Sequence, residues 1–412
     1  MGRIDRRFVC RDHDERNEKL MSSGALSGIR VLDLSRLLPG PYCSMMLADL
    51  GAEIVKIEEP GRGDYLREFP PKINKEAAFF LSVNRNKKSM TLNLKHERGK
   101  KVFLDLVKKA DVVLEGFRPG VMDKMGIGYK VLEETNPNIV VCSISGYGQD
   151  GPYATRAGHD LNYLSIGGVT GFTGTKDGKP IILGVQIADI GGGGMLAAFC
   201  ILAALIAREK MGRGQYIDVS MMDGVLPWVS LYLGKYFADG KNPRPSSEQL
   251  TGRYACYNIY KTRDDRYMSL GAVEPQFWSA FCKAVNREDL IKTQYNSALA
   301  DSVIAEVENI FIQKTRQEWI EFFKEVDCLC EAVNNFEEVL SHPQVMHRNM
   351  IVEMQHSTEG KILMVNFPGK FSKTPSEIKF PPPMLGQHTN EILRELGMTQ
   401  AEIDELANEN IV

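Results

Sequence analysis

The sequence lacks an apolar run of membrane-spanning length. Its longest apolar stretch, Met195 to Ala207, has about a dozen residues, whereas a helix that crosses a bilayer needs about twenty. We therefore interpret this stretch as a buried core helix and expect no membrane insertion. Residues 1–24 lack the apolar core of a secretory signal and mix arginines with acidic residues, so we predict a disordered tail rather than a signal or transit peptide.

The sequence also lacks an excess of positive charge and any cysteine pair at metal-binding spacing. Its 50 Lys and Arg residues face 53 Asp and Glu residues, so the formal net charge is −3 and no broad positive field is available for nucleic acid. The eight cysteines are scattered, with no C-x-x-C pair and no Cys/His group at zinc spacing. We expect no nucleic-acid partner, no metal, reduced thiols and a cytoplasmic location.

What the sequence does contain is a regular alternation of strand-like and helical segments. The strand-like segments are Ile29 to Leu34, Glu53 to Ile57, Asp111 to Leu114, Ile139 to Ile144 and Gln215 to Val219. This alternation is typical of a parallel sheet with crossover helices, so we predict an α/β fold with a Rossmann-like large domain. The first strand leads into Pro39-Gly40-Pro41 instead of G-x-G-x-x-G, and no Walker A or G-x-S-x-G motif is present, which disfavours NAD binding, P-loop chemistry and α/β-hydrolase chemistry.

The pattern changes near residue 249. Tyr254 to Tyr260 and Tyr267 to Leu270 predict two strands joined by a turn, and helices follow, so we predict a second, smaller α+β domain. Thr315 and Glu318 match a capping box, which predicts a helix start. The predicted boundaries are 25–214 for the large domain, 215–248 for linker helices, 249–341 for the small domain, and 342–412 for a linker and C-terminal helices that return to the large domain.

Three residues are candidates for catalysis. His159 lies in a glycine-flanked loop, Asp189 precedes the four glycines Gly191 to Gly194, and Glu274 ends an apolar strand-like run. A carboxylate is costly to bury beside apolar residues without a partner or a task. N-capping of the following helix explains either carboxylate equally well, and a lone histidine is more often structural than catalytic.

Four segments resemble the family III CoA-transferases of the CaiB/BaiF type. They are Leu26 to Pro60, Glu115 to Gly120, Gly146 to Gln149 and Gly212 to Gln215, and the resemblance covers nearly the whole chain after residue 25. Within this family, Gly158 to Tyr163 and Ala272 to Phe277 resemble the α-methylacyl-CoA racemase branch. The resemblance implies an interlocked homodimer, with the active site between the large domain of one subunit and the small domain of its partner. It also implies an acyl-CoA thioester as substrate and no cofactor beyond the CoA that the substrate carries.

The racemase branch interconverts (2R)- and (2S)-2-methylacyl-CoA by two-base proton transfer through an enolate. By resemblance, His159 and Asp189 are the two bases, and Glu274 hydrogen-bonds His159 from across the subunit boundary. The backbone N–H of Asp160 is expected to hold the thioester oxygen. The glycines Gly191 to Gly194 are expected to let the backbone approach the thioester closely.

The same family contains transferases, in which the acid at the position of Asp189 is a nucleophile that forms acyl-anhydride and CoA-thioester intermediates. CoA transfer between carboxylic acids is therefore the alternative. His159 and Glu274 favour the racemase interpretation, whereas the long stretch from Tyr65 to Leu81 resembles the transferases. A silent CoA-binding scaffold is a third interpretation, and it leaves those two residues and Asp189 without a purpose.

The phosphates of CoA require a local basic patch in this acidic protein. The candidate CoA-binding residues are Arg85, Lys88, Leu92, Lys95, Gly116, Phe117, Arg118, Lys124, Gly158 and Tyr163. Similar racemases have an arginine where Glu59 stands. We therefore expect part of the nucleotide binding to come from another cation, with Arg85 and Lys88 as candidates.

Overall fold

The computed structural model describes residues 24–412. The disordered tail predicted for residues 1–24 lies outside the described residues except for Gly24. The described chain divides into two compact units. The larger unit comprises residues 24–167, Val185–Trp228 and His347–Val412, and the smaller unit comprises Gly168–Gly184 and Val229–Met346.

A six-stranded parallel sheet forms the centre of the larger unit, which confirms the predicted α/β fold. The strands are β1 (Arg30–Asp33), β2 (Glu53–Glu58), β3 (Lys87–Thr91), β4 (Val112–Glu115), β5 (Val140–Ser145) and β6 (Tyr216–Ser220). Their order is β3-β2-β1-β4-β5-β6. The order reverses between β1 and β4, and in such sheets ligands bind outside the carboxyl ends of the strands at that point.

Helices and one antiparallel hairpin complete the larger unit, and helices dominate the smaller one. In chain order the helices are α1 (Pro39–Asp49), α2 (Ala78–Val83), α3 (Glu97–Val107), α4 (Val121–Lys124), α5 (Tyr129–Thr135), α6 (Asp160–Ile166), α7 (Val169–Phe172), a π-helix (Ala188–Met195), α8 (Leu196–Met211), α9 (Met221–Val225), α10 (Ser230–Asp239), α11 (Pro275–Ala284), α12 (Ala300–Phe311), α13 (Arg316–Phe323), α14 (Phe336–Ser341), α15 (Pro343–His347), α16 (Thr389–Glu395) and α17 (Gln400–Asn408). Short 3₁₀ turns lie at Tyr65–Glu68, Leu226–Val229, Gln249–Thr251 and Glu288–Thr293.

Strand β3 was not among the predicted strands, because its sequence begins with two lysines and a serine. The structure buries Lys87 and Ser89. The Lys87 ammonium donates to the backbone oxygen of Pro41 and to Oδ1 of Asn84, both at 2.8 Å, and Asp33 Oδ2 lies 3.5 Å from it. Burial lowers the pKa of Lys87 to about 7. Buried polar partners therefore replace the apolar side chains that usually identify a buried parallel strand.

The C-terminal helices belong to the core of the larger unit. Ile392 and Leu393 of α16 and Ile403 and Leu406 of α17 are buried in the same apolar cluster as side chains of the sheet. The capping box of Thr399 and Glu402 fixes the start of α17. Residues more than 250 positions apart in sequence thus form one apolar core. A domain of this size buries a large share of the surface that its unfolded chain exposes, and the C-terminal helices contribute to that burial.

The smaller unit contains an antiparallel sheet and an aromatic core. Its strands are β7 (Tyr257–Lys261), β8 (Tyr267–Gly271) and β9 (Cys330–Ala332). Phe281, Phe311 and Phe323 stack beside Trp319, and the capping box predicted for Thr315 and Glu318 starts α13. The hairpin β10 (Ile351–His356) and β11 (Gly360–Val365) lies in the larger unit. The domain boundaries predicted from the sequence at residues 214, 248 and 341 stay predictions.

The π-helix continues directly into α8, which makes one apolar helix from Ala188 to Met211. By length and composition alone this 24-residue helix could cross a membrane: its most apolar 18-residue window has a mean hydropathy of 2.2, and 44% of that window is buried within the protein. The apolar stretch identified in the sequence, Met195 to Ala207, was shorter because it left out Gly191 to Gly194. Gly192, Gly193 and Gly194 are buried, which is the behaviour of a core helix.

Candidate active site

The carboxyl group of Asp189 lies at the start of the π-helix. Asp189 is the second residue of that helix, whose N-cap position is Ile187. The helix-capping explanation for this acid is therefore wrong. Burial raises the pKa of Asp189 to about 7, and the nearby carboxylate of Asp160 adds to the increase. π-Helical turns are rare and are frequently found at functional sites.

Asp160 holds the first turn of the π-helix through its side chain. Its Oδ2 accepts hydrogen bonds from the backbone N–H groups of Ala188 at 2.7 Å and Asp189 at 3.1 Å. These are donors that a helix start leaves unpaired. Burial raises the pKa of Asp160 as well. The expectation from the sequence concerned only the backbone N–H of Asp160. In the structure, the side chain of Asp160 joins α6 to the π-helix at Asp189.

The glycines after Asp189 allow the π-helix to pack closely against two other helices. A Cβ atom on Gly194 would lie 2.7 Å from the backbone oxygen of Pro39 in α1. A Cβ atom on Gly192 would lie 2.8 Å from the backbone oxygen of Met221 in α9. The structure thus explains these glycines by helix packing, which differs from the expectation that they approach the thioester.

His159 is held in an exposed turn immediately before α6. Its backbone N–H donates to Oδ1 of Asn162 at 3.0 Å. The Tyr163 hydroxyl donates to the backbone oxygen of Gly158 at 2.5 Å. A Cβ atom on Gly158 would lie 2.7 Å from the Tyr163 ring and 2.8 Å from the Tyr147 hydroxyl, so only glycine fits. Gly158 and Tyr163 therefore shape the turn that presents His159, a role different from the CoA contact expected of them.

The Tyr163 hydroxyl of this turn lies near enough to Asp189 to interact with it electrostatically. Burial raises the pKa of the Tyr163 hydroxyl, and the Asp189 carboxylate adds to the increase. Both predicted bases of the larger unit, His159 and Asp189, are thus connected through α6. Glu274 lies in the smaller unit, at the N-cap position of α11, where its side chain does not cap the helix.

Several of the predicted CoA-binding residues lie at the carboxyl edge of the sheet. Leu92 and Lys95 follow β3, and Gly116, Phe117 and Arg118 follow β4. The buried carboxyl of Glu115 accepts a hydrogen bond from the Phe117 N–H at 2.6 Å and fixes the start of this loop. Burial raises the pKa of Glu115 to about 7. Gly116 to Arg118 border the reversal point between β1 and β4, where a nucleotide is expected to bind, and Leu92 and Lys95 lie at the same edge two strands from β1.

Two predicted cations lie elsewhere. Arg85 is buried and pairs with Asp49 at 2.6 Å. Lys88 lies at the amino end of β3 and pairs with Glu53 at 3.0 Å and Glu391 at 2.7 Å. Both are therefore removed from the carboxyl edge, and their expected role in nucleotide binding is not supported by the geometry. Lys124, in α4, is exposed.

Arg36 and Arg62 were not among the CoA-binding residues predicted from the sequence. Arg36 follows β1, and its guanidinium lies 5.1 Å from the centre of the Tyr65 ring and 5.6 Å from that of Phe117. Arg62 lies 4.2 Å from the centre of the Tyr65 ring. A signal was present, because Arg36 stands between the first predicted strand and the Pro39-Gly40-Pro41 turn. Among residues 24–412, no cluster of His, Cys, Asp or Glu side chains could hold a metal ion.

Comparisons with known proteins agree with this architecture. The model of CoA-transferase family III matches residues 26–389. An acyl-CoA transferase of Fusarium pseudograminearum is 37% identical, over 95% of this chain and 89% of its own length. The succinyl-CoA:glutarate CoA-transferase of Homo sapiens is 35% identical, over 94% of this chain and 90% of its own. The human alpha-methylacyl-CoA racemase is also 35% identical, over 94% of this chain and 97% of its own.

A solved structure shows the same fold. A CAIB/BAIF family protein from Brucella suis superposes with a TM-score of 0.81 at 30% identity, and the match covers 91% of this chain and 100% of that protein. Of the three named relatives, two are transferases and one is a racemase. The comparisons therefore favour the transferase alternative over the racemase interpretation drawn from the sequence.

Proposed function

Since this chain belongs to CoA-transferase family III, we propose that it moves CoA from an acyl-CoA thioester to a free carboxylic acid. The observation that carries the proposal is the Asp189 carboxyl group. It is partly buried, is placed at the first turn of the π-helix, and has a pKa raised to about 7. A carboxylate of higher pKa is a stronger nucleophile once it is ionised, so this environment suits attack on a thioester.

The proposed reaction conserves atoms and charge. The Asp189 carboxylate attacks the thioester carbonyl, and the C–S bond breaks to give an acyl-aspartyl anhydride and the CoA thiolate. The thiolate attacks the aspartyl carbonyl, which forms an aspartyl-CoA thioester and releases the donor as a carboxylate. The acceptor carboxylate then repeats both steps in reverse order, which yields the new acyl-CoA and regenerates Asp189.

Asp160 has a distinct part in this proposal. Its carboxylate accepts from the N–H of Asp189 and fixes the π-helix. It also lies close enough to raise the pKa of the Asp189 carboxyl. Positioning of the nucleophile by such contacts reduces the entropy cost of reaching the attack geometry.

Racemisation of a 2-methylacyl-CoA is the second candidate function, and one observation favours it. His159 directly precedes Asp160, whose side chain bonds to the backbone of Asp189, so one hydrogen-bonded unit carries both bases. A carboxyl with a pKa of about 7 can both donate and accept a proton near neutral pH. A transferase has no need of His159.

A single incubation separates the two candidates. We expect that the purified chain, given one epimer of a 2-methylacyl-CoA and a panel of free carboxylic acids in deuterated water, forms a new CoA ester. We also expect the Cα position of the donor to keep its proton and its chirality. Mass spectrometry follows the CoA esters, and NMR follows Cα.

The opposite result supports racemisation. Deuterium at Cα with loss of chirality, and no new CoA ester, would show two-base proton transfer. His159→Ala is the matched variant, because it removes one base without changing Asp189. It should abolish deuterium exchange in a racemase and leave most of the activity of a transferase.

We also propose that the chain forms a homodimer, as the family resemblance implies. Helix α8 exposes an apolar stripe, because Phe199 is 68% exposed and Ile206 is 60% exposed on the same helical face. Met195, one turn before Phe199, is also exposed. An uncovered stripe of this kind is typical of a surface that another chain covers.

Phe199→Glu tests this interface. The charged side chain should convert a dimer into monomers, because an unpaired carboxylate cannot be buried against apolar partners without a large cost. Light scattering coupled to size exclusion measures the mass. Lys101→Glu, an exposed charge change on helix α3 away from this stripe, is the control and should leave the mass unchanged. A Phe199→Glu protein of unaltered dimer mass would contradict the assignment of this face.

A further inference from the structure

Glu59 sits among three cations at the carboxyl edge of the sheet. Its Oε1 accepts a hydrogen bond from Lys95 at 2.9 Å. That bond lowers the pKa of Glu59, and the positive charges of Arg36 and Arg62 lower it further. We call these four residues the Glu59 cluster. They follow or closely succeed strands β1, β2 and β3, which meet at this edge.

The arginines of the Glu59 cluster are fixed in place before any ligand arrives. Arg36 donates through Nη1 to the Tyr65 hydroxyl at 2.8 Å and lies over that ring. Arg62 lies over the same ring, and Glu68 binds it through two hydrogen bonds of 3.2 and 3.1 Å. Pre-positioned guanidinium groups lose little side-chain freedom when they bind an anion, so they favour phosphate binding.

The charge balance of the site is close to neutral. The three cations face the carboxylates of Glu59 and Glu68, so about one positive charge is left over. A nucleotide with several phosphate charges needs more than that. Of the two carboxylates, Glu68 is hydrogen-bonded to Arg62, and Glu59 is hydrogen-bonded to Lys95.

We propose that Glu59 is an internal competitor of the substrate's phosphate groups, which displace it from Lys95 and take up Arg36 and Arg62. This inference rests on the proposed function, because it assumes a CoA thioester at the carboxyl edge. It adds Arg36 and Arg62, which were not predicted from the sequence, to the predicted phosphate-binding residue Lys95. It also assigns Glu59 a role in setting the affinity for the nucleotide part of the substrate.

Calorimetric titration tests the competition without any turnover. Glu59→Gln should lower the Kd for CoA roughly three- to ten-fold at low salt, and the gain should shrink as salt screens it. Pantetheine, which lacks the nucleotide, should bind both proteins equally. Arg62→Gln should weaken CoA binding and leave pantetheine binding unaltered.

Glu53→Gln is a closely matched control. Glu53 starts the strand that Glu59 follows, its side chain is 38% exposed against 37% for Glu59, and it also forms ion pairs. It lies at the amino edge, so its replacement should leave the Kd for CoA unchanged. Equal or weaker CoA binding by Glu59→Gln, or the same gain in Glu53→Gln, would overturn the inference.

The proposed function and the role of Glu59 are contradicted by different results. If neither the unaltered chain nor Glu59→Gln binds CoA, the proposed function fails and the inference about Glu59 fails with it. If the chain converts acyl-CoA while Glu59→Gln shows an unchanged Kd for CoA, only the inference about Glu59 fails.

Discussion

Replacement of Asp189 by asparagine should lower kcat by roughly 1,000-fold or more, which corresponds to about 4 kcal/mol of lost transition-state stabilisation. The amide has nearly the same shape as the carboxyl group, but it can neither attack a thioester nor exchange a proton at neutral pH. The backbone N–H of residue 189 remains available to Asp160. We therefore expect the fold to persist while activity disappears.

The pH dependence identifies the group responsible. Since only the ionised carboxyl attacks, and its pKa is about 7, the kcat/KM of a transferase should rise from about pH 6 to about pH 8. Asp189→Asn should show no such rise in its residual activity. Steady-state assays across this range, with the same acyl-CoA and acceptor, provide the measurement.

Stability gives an independent readout of the same carboxyl. In the unfolded chain an aspartate has a pKa of about 4, and the folded value of Asp189 is about 7, so the folded state binds the proton more tightly. Asp189 therefore reduces stability as the pH rises between these values. In urea titrations the Asp189→Asn protein should lose this part of the pH dependence. Activity within ten-fold of the original, with a preserved pH profile, would rule out Asp189 as the reacting group.

The second large effect is expected at the contact between Gly192 and Gly224. A Cβ atom on Gly224 would lie 2.2 Å from the backbone oxygen of Gly192 and 2.6 Å from its Cα atom. Backbone atoms cannot move aside as the end of a flexible side chain can. Gly224→Ala should therefore cost about 3 kcal/mol or more of unfolding free energy.

The same substitution should also impair the reaction. Helix α9 packs on the π-helix at this contact, so a shift here moves the turn that carries Asp189. A displacement of about 1 Å can lower the rate roughly 100-fold. Chemical denaturation and steady-state kinetics on the same preparation measure both effects.

Gly234→Ala is the control for this experiment. Gly234 lies inside helix α10, where an added Cβ atom meets nothing within 4 Å. Alanine is the better helix former, so this variant should be unchanged or more stable by up to about 1 kcal/mol. If Gly224→Ala behaved like Gly234→Ala, the close packing of the π-helix would have no energetic consequence.

The sequence predicted the central sheet well where apolar strands alternate with helices. Strands β1, β2, β4, β5 and β6 were all found this way; the first four are almost wholly buried, and edge strand β6 is buried at Val219 and Ser220. Strand β3 was missed, since the partners that make burial of Lys87 tolerable come from α1, from Asn84 and from β1. Local patterns do not contain such long-range partners.

The candidate active site was also predicted only in part from the sequence. Asp189 and His159 stood out through their glycine-rich surroundings, but a pattern of residues does not show that the Asp160 side chain bonds to the start of the π-helix. Arg85 and Lys88 were selected because they are basic. The edge of the sheet at which they lie decides their partners, and this depends on the strand order.

The position of the C-terminal helices in the core has a consequence for biosynthesis. The larger unit is interrupted twice, and its apolar cluster includes residues of α16 and α17, which are synthesised after the other elements described. Domains generally fold as units while the chain is made, in the order of synthesis. Here the early sheet keeps part of its apolar surface uncovered until Ile392 and Ile403 have left the ribosome. The smaller unit ends at Met346, before α16 and α17, so it can fold completely before the larger one.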